Sequence, residues 1–180
     1  MAEKTQDAPV VPAESTLQKL LDHVGPVGKI GFGCFLIFVV WVTVAVLLKD
    51  GATARYATLK DFHYALSRAG LAVAGVMAGV AVYIGLYKHG DVTRWFRAIA
   101  YTTVAFMLAQ GLIGGVMYLM DGRPGEDVHL IYGYGVVLSL PFFIFVEVTA
   151  KKRPAMGSYI WGFVMLSAII VRCISTGPVR

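Results

Sequence analysis

Apolar residues gather into five runs along the chain, separated by short polar gaps: 30–48, 69–87, 98–120, 130–146 and 157 to about 175. About 20 residues of helix cross the hydrocarbon of a bilayer, so runs of this length predict membrane-spanning helices. The fourth run is short and holds Pro141, but His129 and Val148 extend it. The fifth contains Arg172 and is the weakest candidate. The pattern predicts an all-α fold, a polytopic membrane bundle of five transmembrane helices over 28–176. Ahead of it, residues 1–14 are polar, carry Pro9 and Pro12, and are expected to be disordered. In STLQKLLDHVGP, Ser15 and Gln18 have capping-box spacing, and Leu17, Leu20, Leu21 and Val24 share a helical face. Gly25-Pro26 stops the pattern. Residues 15–27 thus read as an amphipathic helix on the cytoplasmic membrane surface or docked on a partner subunit.

Composition agrees. Hydrophobic residues make up 57% of the 180 positions and mean hydropathy is +0.68, too apolar for an ordinary soluble domain. Charge is confined to the gaps, where it sets orientation. Lys88, Arg94 and Arg97 fall in one loop and Lys151, Lys152 and Arg153 in another. The loop between them is acidic, with Asp121, Glu126 and Asp127 against Arg123. Basic loops on one side place the N-terminus in the cytoplasm and the C-terminus outside, although Lys49, Arg55 and Lys60 fall on the outer side. The isoelectric point of about 9.3 then reflects membrane topology and gives no reason to invoke nucleic acid. The first 27 residues are polar and mixed in charge, unlike a cleavable signal, so the first span is expected to be a permanent anchor in the cell inner (plasma) membrane. Cys34 and Cys173 fall at opposite faces and read as buried packing thiols. Gly75/Gly79 and Gly111/Gly115 are GxxxG pairs, expected to pack helices within the bundle or to form a dimer.

Ionisable groups inside a bilayer are costly and usually functional. His23 and His89 lie in cytoplasmic segments. Glu147 stands one turn before Lys151 and reads as half of a solvated pair. His63, His129 and Arg172 remain. His63 opens the second span and His129 the fourth. Both spans run from outside to inside, so the two imidazoles share a depth near the outer face. That geometry lets facing helices grip one flat cofactor. Small residues beneath each histidine (Ser67, Gly70 and Ala74 on one span, Gly133 on the other) leave room for a porphyrin edge, and Val137 and Leu140 shield it. Arg172 and Arg68 are placed to pair with propionates. Two histidines are too few for zinc. The plain alternatives stay open: His129 pairs with Asp127 or Glu126, and Arg172 snorkels or binds lipid.

HYALSRAGLAV at 63–73, AQGLIGGVMYL at 109–119 and VHLIYGYG at 128–135 occur in that order, and over about residues 28–150 the chain resembles one half of the haem A synthase family. The resemblance implies a four-helix unit with a histidine at the outer start of its second helix, a Gln-x-x-x-Gly-Gly-like segment in the third and His-Leu opening the fourth. It makes His63 and His129, 66 residues apart, axial haem ligands. The chain departs from the family in having one half plus a fifth helix, and Lys60 where the family pattern has glutamate, with Asp61 the nearest carboxylate. The leading expectation is therefore a membrane protein binding one b-type haem near the outer face, in electron transfer or haem handling. The rival is a cofactor-free structural or assembly subunit of a respiratory or photosynthetic membrane complex, alongside other subunits. A transporter ranks last, because Thr102, Thr103, Gln110 and Ser139 are its only polar mid-membrane candidates.

Overall fold

The structure, a computed structural model, describes the backbone of residues 16–150 and 155–177, with side chains from residue 31 onward. It contains five helices: α1 (Thr16–Leu47), α2 (Ala52–Val82), α3 (Arg94–Leu119), α4 (Val128–Ala150) and α5 (Met156–Thr176). A π-helical turn, Tyr83–Tyr87, carries α2 onward. The tail expected at 1–14 lies outside the described residues. Gly25 takes φ 55°, ψ −168°, which kinks α1 at the expected Gly25-Pro26 stop.

Among the described residues, four helices are long and apolar enough to cross a membrane: Ala52–Tyr87, α3, α4 and α5. The apolar part of α1, Gly31–Leu47, is shorter. At about 1.5 Å per residue it reaches roughly 25 Å, against about 30 Å of hydrocarbon. Large apolar side chains face outward on every helix, among them Ile37, Val76, Leu112, Phe142 and Trp161. Such a surface suits lipid, and the chain is a membrane protein on that ground.

α2 packs on α3, α3 on α4, α4 on α5, and α5 back on α2. These four helices form a square bundle with α2 and α4 on its diagonal. α1 lies outside, mainly against α3. The closed four-helix unit is thus α2–α5. Its core includes Ala74, Met107, Leu140, Phe163, Leu166 and Ile170. A smaller cluster of Val42, Leu59 and Ile113 seats α1, with Phe38 and Trp41 edge-on to Phe62.

Three expectations are corrected. Glu147 is buried: Arg97 Nη2 and the Tyr159 hydroxyl each donate to its carboxylate at 2.9 Å, so it is not half of a solvated pair. Lys151 lies outside the described residues. Cys34 is exposed while Cys173 is buried, and both are free thiols. Gly75 and Gly79 face open space, whereas a Cβ on Gly111 would meet Val137 at 2.7 Å. Only Gly111 packs within the bundle.

Candidate functional site

α2 begins at Ala52, so His63 stands inside a continuous helix, about 16 Å along it. The polar stretch 52–62 is a helical extension of the apolar span. His129 is the second residue of α4. The loop before α4 is tied down where the Glu126 N–H donates to the Thr176 carbonyl at 3.2 Å, and the His129 N–H to the Glu126 carbonyl at 3.0 Å. These bonds hold the start of α4 against the end of α5. The two imidazoles meet across the diagonal of the bundle, with ring centroids 6.4 Å apart and planes at 61°. Both rings are half-buried.

His129 is held by α5. Its Nδ1 lies 3.0 Å from the Cys173 carbonyl and 3.3 Å from the Thr176 hydroxyl. A carbonyl only accepts, so the proton sits on Nδ1 and the Nε2 lone pair is free to ligate. The Thr176 hydroxyl donates to the Arg172 carbonyl and can accept from the ring. Cys173 Sγ is 3.8 Å from Nδ1. Glycine lets α5 end this close: a Cβ on Gly177 would stand 2.9 Å from His129 Cε1. The Asp127 and Glu126 side chains expected as alternative partners are replaced by a backbone acceptor.

His63 is held by α3. The Gln110 side chain donates to Ser67 Oγ at 2.7 Å, and that hydroxyl donates to the His63 carbonyl at 2.7 Å. A Cβ on Gly114 would lie 3.2 Å from His63 Cε1. His63 Nδ1 is buried beside the Gln110 backbone without a well-formed hydrogen bond, and Gln110 Oε1 is also buried without a partner. Buried polar atoms rarely go unpaired, and two such atoms lie beside the histidine pair.

The small residues beneath the histidines divide. On α2, Ser67 is bonded to Gln110, and Gly70 is filled by Met107, whose Cε a Cβ would meet at 2.6 Å. That face serves α3, not a porphyrin edge. Gly133 on α4 and Gly115 on α3 have nothing within 4 Å of a Cβ. Arg68 lies over Tyr64 at 4.1 Å and Arg172 over Tyr132 at 5.6 Å, both on the bundle's exposed face. The Gly70–Ile170 contact sets the antiparallel register of α2 and α5, and places Arg68 and Arg172 at one depth. Among the described residues no group of three His, Cys, Asp or Glu is arranged to hold a metal ion. Sequence reading missed Gln110 as a support of His63, although Ser67 stands one turn from His63 on the same face. It missed the Cys173 and Thr176 contacts because a backbone acceptor leaves no mark on the sequence.

No family model, curated protein or solved structure matches the chain.

Proposed function

We propose that the chain binds one b-type haem between His63 and His129 and acts in electron transfer or haem handling. The observation that carries this reading is the 6.4 Å between the imidazole centroids. Two imidazoles this close across the bundle would be able to hold one iron between them. A porphyrin supplies four further donors, which suits a site with only two.

The chain's own residues have separate tasks. The Cys173 carbonyl fixes the tautomer of His129 and the orientation of its ring. Gln110 and Ser67 fix the backbone at His63. Gly114 and Gly177 admit the two rings, and the open positions at Gly115 and Gly133 admit a macrocycle edge. Arg68 and Arg172, level with each other, would pair with propionates. Val136, Leu140 and Ile170 keep water from below. Bound haem supplies reversible one-electron exchange. The likeness to one half of haem A synthase supports haem binding, and no oxidation of the haem is proposed.

Haem titrated into the purified chain should saturate at one per chain, with a sharpened Soret band. His63→Ala and His129→Ala should each lose that uptake while keeping helical content. Uptake unchanged in both variants refutes the site.

The basic ends at 88–97 and 151–153 favour a cytoplasmic N-terminus and the plasma membrane. An added cysteine at position 125 should then react with impermeant maleimide in sealed right-side-out vesicles without lysis. Reaction only after lysis contradicts that orientation.

The second reading, a cofactor-free assembly subunit, is favoured by the outward Gly75 and Gly79. It expects a featureless haem titration.

A further inference from the structure

Between α2 and α3, near the end of the bundle that carries Lys88, Arg94 and Arg97, a groove of about 420 Å³ opens towards the surrounding lipid. Ala69 and Val73 form one wall, Ala98, Ile99 and Phe106 the other, and the largely exposed Trp95 stands at the end nearest the basic residues. The hydroxyls of Thr102 and Thr103 also border the groove, but each donates to its own helix, to the Ala98 and Ile99 carbonyls at 2.9 and 2.8 Å. Both threonine donors are thus used within α3, the Trp95 indole N–H stands at the mouth, and the walls between suit a hydrocarbon chain.

Charge at the mouth points to the rest of the occupant. Arg94, Ala98 and Thr102 repeat every four residues and share one stripe of α3, which meets α1 where a Cβ on Gly31 would stand 2.7 Å from Thr102 Oγ1, so Arg94 follows one turn beyond the groove at its edge beside α1. Arg94 is exposed and makes no ion pair among the described residues. The neighbouring cation, Arg97, is committed to Glu147. The neighbouring acid, Asp91, accepts from the Val92 and Ala155 N–H groups at 2.8 and 2.9 Å. A basic residue near the membrane surface attracts anionic lipid headgroups, and basic pockets between transmembrane helices hold them; tryptophan settles at the same interface. We propose that this groove binds an anionic phospholipid, with an acyl chain along α2 and α3 and its phosphate on Arg94. The site is separate from the histidine pair and does not rest on haem binding.

The test uses the full chain with Trp41→Phe and Trp161→Phe, leaving Trp95 as reporter, in phosphatidylcholine nanodiscs. Brominated-chain phosphatidylglycerol and brominated-chain phosphatidylcholine are added in turn at equal, low mole fraction. Phosphatidylglycerol should quench Trp95 about five-fold more per mole, the scale of one basic residue's pull on an anionic lipid. Arg94→Gln should bring the two lipids level, Arg94→Lys should keep most of the preference, and Ala69→Leu should weaken quenching by both. Equal quenching by the two lipids in the parent chain overturns the proposal. So does a preference that survives in Arg94→Gln. If Arg94→Gln loses its helical signal, the Arg94→Lys and Ala69→Leu results decide in its place.

Discussion

Glu147 shows how one side chain joins three helices. Its carboxylate on α4 takes Arg97 from α3 and the Tyr159 hydroxyl from α5, with only 2% of the side chain exposed. Removing one partner of a buried pair leaves an uncompensated charge, which costs about 3–5 kcal/mol. Glu147→Ala should therefore lower stability by that order, measured by denaturant unfolding in mixed micelles. Replacing Arg97 and Glu147 together by leucine should cost much less. Equal losses in the single and double variants would show that the ion pair is not what holds this end. The sequence contained the clue to its burial: Val136, Leu140 and Ile144 repeat every four residues on the buried face, and Glu147 continues that stripe. Pairing by eye with Lys151 overlooked it. At the histidines the sequence was read better. Matching helix directions foretold a shared end of the bundle, and the rings lie 6.4 Å apart. The carbonyl that orients His129 was invisible, because any residue supplies one.

Helix α5 had the weakest signal in the sequence, because Arg172 interrupts its apolar run. In the structure it is the most central element. Met156, Phe163 and Leu166 are wholly buried, and α5 packs on both α2 and α4. Arg172 faces outward, so its charge never enters the core. A chain ending at residue 155 should lose cooperative unfolding and, with the Cys173 carbonyl gone, its haem uptake. Retained uptake would mean that α1–α4 suffice, as the family layout has it. Hydropathy also misplaced the start of α2. Residues 52–62 are polar but rich in good helix formers, and nothing in them breaks a helix before Gly51, whose φ is 83°. Periodicity cannot distinguish Gly75/Gly79 from Gly111/Gly115, because the same spacing packs a neighbour at Gly111 and faces open space at the other three.

On the scale of the molecule, membrane residence and the all-α class were legible from the apolar runs alone. The arrangement was not. Run lengths do not reveal that α2–α5 close a square or that α1 remains outside it, since that depends on which faces carry Phe163, Leu140 and Met107. The square gives the histidines their geometry: they stand on diagonal helices and meet across the bundle. Its two ends then differ, with a histidine pair near the acidic loop and a buried ion pair near the basic ones. The most direct measurement is the reduced-minus-oxidised absorption spectrum of the chain purified from membranes with ample haem. Sharp reduced bands from a six-coordinate haem, absent from both His63→Ala and His129→Ala, are the predicted result. A featureless spectrum, or bands that persist in both variants, would contradict the account.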